Sequence, residues 1–399
     1  MTTPLDLLAA PALDTRLAAL RDLARGTTLP ARTGTNTHVH TNHSFSVFRS
    51  PCEAVWKAIE AGVEVFGIND HFTVAGHDEF ARACAAVGLP ATFSIEAIGM
   101  DRAAEQAKTL MNDPGNPGRV YLCGKGVTTR DDAQAARTLA ALRAAQIDRN
   151  RQLIAKLDER FRALTGQPGP TWERVAEQAP QGNTTERHVA KACLRRLQEI
   201  GGDAFAAVVG ATPTGDDAAQ QNLIRGSLLK SGKPCYVPED PSSFPDVAGA
   251  RALFLQLGAI PTYPVLGNPI TDGEKDVVAL CDRLAAWGIH ALELIPARNT
   301  DDRVAAVIAE ARRRGWPVFD GTEHNTPTMD PLLTRWGMDE RFRPTLRDGA
   351  LLVLGHQARV ARGEPGYVDR AGRLVAGGYR ACLDEGRRVH AASAARAAG

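Results

Sequence analysis

Apolar positions in the first third of the chain follow two different spacings. Segments such as "AVWKAIEAGV" carry apolar residues at helical spacing, whereas "EVFGIND" and "PATFSIEAIGM" are nearly continuous apolar runs, a pattern typical of buried strands. Ser50, Pro51 and Glu53 provide the cap, first-turn proline and capping box of the first of these helices, and Gly62 ends it. This alternation of helix and strand predicts an α/β fold with a parallel sheet and helices outside it.

The alternation stops and then returns. A strand is predicted at 36–41 and another near 119–123, and further strands at 259–265, 291–295 and in "VFDGTEHN" each follow a helix. Residues 130–230 instead have helical periodicity and almost no strand-like runs. We therefore divide the chain into an N-terminal helical segment (1–34), a first barrel part (35–127), a helical cap insertion (128–235), a second barrel part (236–360) and a tail (361–399). The Gly-, Ala- and Arg-rich tail is expected to pack poorly.

The composition limits the partners and the cellular compartment that we expect for the protein. The formal net charge is +1 and charged residues make up 23% of the chain, so no pervasive electric field argues for wrapping nucleic acid or coating a membrane. Seven scattered cysteines without a C-x-x-C pair disfavour a disulfide framework. No signal peptide or membrane-spanning run is evident. We expect a cytoplasmic protein without a membrane partner.

Histidines and carboxylates mark the candidate chemistry. In "TNTHVHTNHSFS", His38 and His40 are two residues apart on a predicted strand and so share one face. Asp70 and His71, Glu96, and Glu323 with His324 also fall at predicted strand ends, which share one face in a β/α barrel. Imidazole and carboxylate ligands together suit Zn, Mn or Fe in a hydrolytic site.

These residues also carry a family resemblance. "HVHTNHSFS" with the following helix and "NDH", "FSIEAIGMD" and "VFDGTEHN" resemble the ordered motifs of the PHP (polymerase and histidinol phosphatase) family over about 35–127 and 236–330. The resemblance implies a distorted seven-stranded β/α, TIM-like barrel that holds two or three metal ions and cleaves phosphate esters. "ERHVAKACL" and "LIRGSLLKSGKPCYVPED" are similar to the helical cap of a subgroup that includes 3′,5′-nucleotide bisphosphate phosphatases and enzymes that trim nucleic acids from the 5′ end.

The resemblance also implies roles for single residues. His38 and His40 would hold a first ion with Glu96 bridging, and His71 and His324 would hold a second, with Glu323 in the place of the family's aspartate. Glu96, His71 and Asp70 would form the catalytic centre, Asp70 by orienting an imidazole. Substrate contacts are assigned to the remaining candidates, which are Arg187, His188, Lys125, Arg298, His43 and Tyr263.

Several positions depart from the family pattern. Phe45 replaces an aspartate, and Tyr121 and Tyr263 stand where many members have histidine. The loss of these imidazoles removes usual third-metal ligands, so we expect one or two divalent ions per chain. His43 either replaces a lost ligand or lies on the face opposite His38.

Three functions follow from this pattern. The first is a metal-dependent phosphoesterase acting on a small phosphorylated metabolite or nucleotide. The second is an exonuclease with the same ions, acting on short nucleic acid. The third is a metal- or ligand-binding protein whose catalytic site has decayed. A zinc deaminase of the amidohydrolase type also begins with H-x-H, but the D-H and E-H pairs fit it poorly. The sequence leaves substrate identity and oligomeric state open.

Overall fold

Seven strands lie in chain order around one sheet in the computed structural model, which describes residues 3–295 and 298–398. They are β1 (Gly34–Val39), β2 (Val63–His71), β3 (Ala91–Met100), β4 (Arg119–Lys125), β5 (Ile260–Val265), β6 (Leu292–Leu294) and β7 (Val318–Asp320). Backbone hydrogen bonds join the ends of β1 and β7, where His40 N donates to Glu323 O at 2.6 Å and Glu323 N to His38 O at 2.9 Å. The predicted α/β, TIM-like barrel of seven strands is confirmed.

One strand runs against the others. β4 is antiparallel to both β3 and β5, whereas all other neighbours are parallel. The prediction of a parallel sheet is therefore wrong at β4. The segment between β3 and β4 contains only one short helix, Arg102–Gln106, and two antiparallel strands need no crossover connection. As a consequence, the C-terminal end of β4 lies at the barrel end opposite the other C-terminal strand ends.

Sixteen α-helices accompany the sheet within the described part of the chain. They are α1 (Pro4–Leu7), α2 (Leu13–Gly26), α3 (Pro51–Glu60), α4 (His77–Ala86), α5 (Arg102–Gln106), α6 (Ala133–Thr165), α7 (Trp172–Glu177), α8 (Glu186–Ile200), α9 (Ala204–Val209), α10 (Asp217–Ile224), α11 (Val247–Gln256), α12 (Val277–Ala286), α13 (Asp301–Arg314), α14 (Arg335–Met338), α15 (Arg343–Ala361) and α16 (Gly378–Ala398). A π-helical turn, Arg225–Leu229, follows α10. Within the described residues, no helix has the length and apolar character needed to cross a membrane.

The helix α6 joins two hydrophobic cores. Its 33 residues extend about 50 Å at 1.5 Å per residue. The first half contributes Ala135, Leu139 and Leu142 to the barrel core around Leu122 and Phe254. The second half packs into a separate core formed within the segment predicted as the cap, together with α8 and α9; its members include Leu153, Leu157, Phe161, Val189, Leu194 and Val208.

The C-terminal tail packs closely, contrary to our expectation. α16 lies along α15, and Cys382 and Leu383 are buried. Two glycines allow the approach: a Cβ at Gly355 would lie 1.7 Å from the Cys382 carbonyl oxygen, and one at Gly386 would lie 1.8 Å from the Leu351 oxygen. The small residues that suggested poor packing instead let the two helix backbones touch.

Candidate metal centre

Three buried side chains converge at the C-terminal end of β1 and the middle of β3. The distance between His38 Nε2 and His40 Nε2 is 3.2 Å, and Glu96 Oε2 lies 3.4 Å from the first and 3.3 Å from the second. The strand register contributes to this meeting, because β2 places His71 directly beside Glu96 of β3. His71 Nδ1 lies 3.6 Å from the same Glu96 oxygen. The structure thus brings together four of the six predicted ligands.

The hydrogen bonds behind the two imidazoles direct their Nε2 atoms to the centre. His38 Nδ1 lies 2.9 Å from Glu293 Oε2, and His40 Nδ1 lies 3.0 Å from Ser44 Oγ. Since Ser44 Oγ donates to Asp70 Oδ1 at 2.6 Å, it accepts from His40. Each Nδ1 therefore carries a hydrogen, and each Nε2 presents a lone pair. Asp70 orients His40 through Ser44 and is not itself at the centre.

The geometry of the three ligand atoms fits a small divalent cation. A tetrahedral ion with bonds of about 2.0–2.1 Å needs ligand atoms about 3.3–3.4 Å apart, and the observed edges are 3.2, 3.3 and 3.4 Å. Glu96 Oε2 is buried without a hydrogen-bond partner within residues 3–295 and 298–398. Three electron-rich atoms at this spacing repel one another unless a proton or a metal cation lies between them, and the spacing of the three atoms fits a metal ion.

The charges of the centre follow from burial and mutual contact. Burial raises the pKa of Glu96, but the neighbouring His71, His38 and His40 hold it well below its ordinary value, so Glu96 is ionised. Burial lowers the pKa of His71 to about 4. For His38, burial alone lowers the pKa, but Glu293 raises it well above the ordinary range. A proton and a metal ion therefore compete for the His38 Nε2 lone pair.

The ion pair beneath His38 was not predicted from the sequence. Glu293 of β6 is fully buried, and its second oxygen, Oε1, accepts from Lys125 Nζ at 2.5 Å. Lys125 also donates to the Thr37 carbonyl at 3.2 Å and is itself fully buried. The available signal was an acidic residue inside the apolar run "ALELI", which is uncommon unless the charge is paired. The predicted substrate contact of Lys125 is wrong, because the reversed β4 places this residue inside the barrel, beneath the centre.

A second group, His38, Cys123 and Glu293, also lies within reach of a metal ion. It shares His38 with the first group and uses a carboxylate that is already bound to Lys125. Burial raises the pKa of the Cys123 thiol to about 11, so the thiol is protonated. The group of His38, His40 and Glu96 is therefore the better metal site.

The two predicted ligands at the end of β7 are engaged with other groups of the described structure. Glu323 Oε2 is hydrogen-bonded to Arg298 Nη2 at 2.6 Å. His324 uses both ring nitrogens elsewhere, Nδ1 with Thr322 Oγ1 at 2.7 Å and Nε2 with the Asp330 carbonyl at 2.8 Å, and its ring stacks on Phe48. The two residues have positive φ angles of 61° and 55°, a tight turn that directs the His324 ring away from the centre. In this structure His324 is not placed as a ligand.

Three further candidates contact neighbours other than a substrate. Tyr263 is fully buried in the barrel core, where its hydroxyl donates to Glu274 at 3.0 Å. His188 Nδ1 accepts from Thr185 N at 3.0 Å and so caps α8, and its ring lies edge-on to Phe45 with centroids 4.9 Å apart. His43 is buried against Gly76, outside the cleft described next. The structure therefore contradicts a substrate contact for Tyr263 and places neither His188 nor His43 at the centre.

A cleft of about 560 Å³ lies above the centre, between the barrel and the segment predicted as the cap. His71, Glu96, Tyr121 and Phe45 line its barrel side. Its cationic side chains are Arg119, Arg149, Arg187, Arg225, Lys230 and Arg298, against the acidic Glu96, Asp113, Glu186, Glu239 and Glu323. One wall from the barrel and one from the segment predicted as the cap therefore face one another across a strongly charged cleft.

Glu186 organises the cationic wall. It contacts Arg225, Lys230 and Arg149 at 2.9, 3.0 and 3.2 Å. Burial raises the pKa of Glu186, but these three cations bring it down to about 2. The π-helical turn helps, because its wider i to i+5 spacing brings Arg225 and Lys230 to one side. Next to this group, Arg187 donates only to the Asn222 amide oxygen among the described residues, and burial lowers its pKa to about 9.

Comparisons with known proteins identify the fold. A protein of Bifidobacterium adolescentis that has been assigned as a metal-dependent phosphoesterase is 20% identical with a TM-score of 0.55, covering 80% of this chain and 96% of that one. An amidohydrolase of Chromobacterium violaceum, solved with bound sulfate and no metal, is 18% identical with a TM-score of 0.54, covering 75% and 92%. Both share the fold of this chain. No family model and no curated protein sequence matches it.

Proposed function

We propose that this chain is a metal-dependent hydrolase of phosphate esters related to the PHP family. The observation that carries the proposal is the triangle of His38, His40 and Glu96 at the spacing of a tetrahedral ion, open to the cleft beside His71. Imidazole and carboxylate ligands favour Zn, Mn or Fe. The two structures of the same fold support it in part, since one is assigned as a metal-dependent phosphoesterase.

The charge of the cleft supports an anionic substrate. Six basic and five acidic side chains line it, so a divalent ion at the centre makes the cleft clearly positive. Among the six basic side chains of the cleft, Arg187 is the one that contacts no carboxylate within the described residues. It lines the same cleft as Glu96. A guanidinium with free donors is suited to bind phosphoryl oxygens in pairs. We infer that Arg187 binds the substrate phosphate.

The residues of the centre divide the chemistry among them. A divalent ion held by His38, His40 and Glu96 would polarise a phosphoryl oxygen and lower the pKa of a bound water. His71 is neutral at pH 7, because burial lowers its pKa to about 4, and its Nδ1 lies 3.6 Å from Glu96 at the cleft. Phe45, packed on His188, shields the centre from water on the cap side.

The test is elemental analysis of the purified protein, followed by a screen of phosphate esters. We expect one transition-metal ion per chain and release of inorganic phosphate from phosphomonoesters. The variant His40→Ala should lose both, whereas His390→Ala, the same substitution on α16, where the histidine contacts Glu64, should keep both. A chain that binds no ion after exposure to Zn and Mn would refute the proposal. A chain that binds the ion without hydrolysing any ester would favour a decayed site.

One feature supports the exonuclease as a second candidate. Arg187, Lys191 and Arg195 lie four residues apart on α8, about 6 Å from one to the next along its axis. Neither Lys191 nor Arg195 has an ion-pair partner in the described ranges, and Arg195 lines a groove of about 260 Å³. This cationic row leads away from the cleft, as a short nucleic acid would need. If the substrate is such a strand, Lys191→Ala with Arg195→Ala should weaken hydrolysis of oligonucleotides and leave mononucleotides unaffected.

The cellular setting is also a proposal. All seven cysteines are free and buried, which suits a reducing compartment, so we propose that the protein is cytoplasmic. Cell fractionation with an antibody against the chain tests this placement.

A further inference from the structure

Arg298 is held at the cleft by a carboxylate that a second metal ion would need. Its Nη2 donates to Glu323 Oε2 at 2.6 Å, and the Glu323 side chain is only 7% exposed. Both residues line the cleft together with His71 and Glu96. A buried carboxylate bound this closely by a guanidinium is not free to bind a cation, because the charge it would offer is already neutralised.

The other expected ligand of a second ion is also committed. His324 directs Nδ1 to Thr322 and Nε2 to the Asp330 carbonyl. Asn325, rather than His324, lines the cleft beside Glu323, and its buried Oδ1 has no hydrogen-bond partner among residues 3–295 and 298–398. A neutral amide is a weaker ligand for a transition metal than an imidazole. The described residues therefore fit one ion and do not fit a second.

We infer that the Arg298 guanidinium takes the place of a second metal ion in this chain. It supplies a fixed positive charge in the cleft that Glu96 also lines, and it neutralises Glu323. An arginine suits this task because it stays protonated at every physiological pH and carries five N–H donors. Only one hydrogen bond of Arg298 is formed within the described structure, so other donors remain for an anionic oxygen. This last role rests on the proposed function.

The test is the metal stoichiometry of five chains, measured by titration calorimetry with Mn²⁺ after removal of bound metal and checked by elemental analysis. We expect one ion in the wild-type chain and in Arg298→Lys, which keeps the charge. Arg298→Ala releases the Glu323 carboxylate, which lines the same cleft as His71 and Glu96, and should bind two ions. Arg298→Ala combined with Glu323→Gln should return to one. Arg373→Ala, which removes an exposed arginine elsewhere, is the control and should bind one.

The outcomes separate this inference from the proposed function. Two ions in the wild-type chain, or a single ion that Arg298→Ala leaves unchanged, would overturn the inference even if phosphate esters are hydrolysed. One ion in the wild type and two in Arg298→Ala would support it, and this readout does not depend on activity. A wild-type chain with one ion and no hydrolysis would refute the proposed function and leave the place of Arg298 intact.

Discussion

The pair of Lys125 and Glu293 gives the sharpest test of how the metal centre is supported. Both side chains are fully buried, and Glu293 accepts from Lys125 through one oxygen and from His38 through the other. The single substitution Glu293→Leu leaves the lysine buried without its carboxylate. Loss of one partner of a buried ion pair costs about 3–5 kcal/mol. With an m-value of about 3 kcal/mol/M, the urea midpoint should fall by roughly 1–1.7 M.

The double substitution Lys125→Met with Glu293→Leu separates stability from metal binding. Replacing a whole buried ion pair by apolar residues is often neutral or stabilising, so the urea midpoint of the metal-free protein should return close to that of the wild type. His38 still lacks the acceptor that fixes its tautomer. Loss of such a supporting hydrogen bond weakens metal binding by about 10- to 100-fold.

Two measurements complete this test. Urea unfolding of the metal-free chains, followed by circular dichroism, gives the stabilities, and calorimetric titration with Zn²⁺ or Mn²⁺ gives the affinities. If the double variant binds metal as tightly as the wild type, Glu293 does not orient His38. If Glu293→Leu lowers the unfolding free energy by less than about 1 kcal/mol, the pair is not a buried ion pair of the kind described.

Three further predictions concern pH, packing and substrate binding. Burial raises the pKa of Asp320 to about 7, so the folded state holds this proton more tightly than the unfolded chain does. The stability of the fold therefore falls as the pH rises from about 4 through 7. The substitution Asp320→Asn should raise the urea midpoint at pH 8 and give no gain at pH 5. Gly355→Ala, whose Cβ would meet the Cys382 carbonyl, should cost at least about 1–3 kcal/mol by separating α15 from α16, while Gly26→Ala, with nothing within 4 Å, should not destabilise the chain. Arg187→Ala should raise the KM for a phosphate ester by about 10- to 150-fold, since it removes a charged hydrogen bond worth about 1.5–3 kcal/mol; an unchanged KM in steady-state assays would exclude Arg187 from the phosphate site.

The sequence allowed the barrel to be predicted because its signals are local. The apolar runs at 64–70 and 90–100 and the helices between them depend on neighbouring residues only, and each predicted strand lies within a few residues of an observed one. The direction of a strand relative to its neighbours in the sheet is not encoded in its own local sequence. Nothing in "GRVYLCGK" distinguishes a parallel from an antiparallel strand. This single reversal places Lys125, which was expected to contact the substrate, at the opposite end of the barrel.

The metal centre was predictable in part for a similar reason. The spacing of His38 and His40 fixes their common face, and the strand ends locate Glu96 and His71. The hydrogen-bond partners of these residues were harder to predict. Glu293 lies more than 250 positions from His38 in the sequence, and only the closed barrel brings the two together. The turn at Glu323 was also hidden, because two positive φ angles redirect His324 in a way that periodicity does not reveal. Similarly, the apolar run "LLVLG", which resembles a strand, forms part of helix α15.

The length of α6 determines how the metal centre is reached. One half is embedded in the barrel core and the other in the separate core of the segment predicted as the cap, with no break between Ala133 and Thr165. A swing of the cap by about 10° would move the far end of a half-helix of about 25 Å by roughly 4 Å, and the bend would have to occur within a continuously hydrogen-bonded helix. The continuous helix therefore holds the predicted cap in a fixed position relative to the barrel. Entry of a substrate into the cleft then depends on the rotation of the side chains that line it. The width of the cleft limits the size of the substrate.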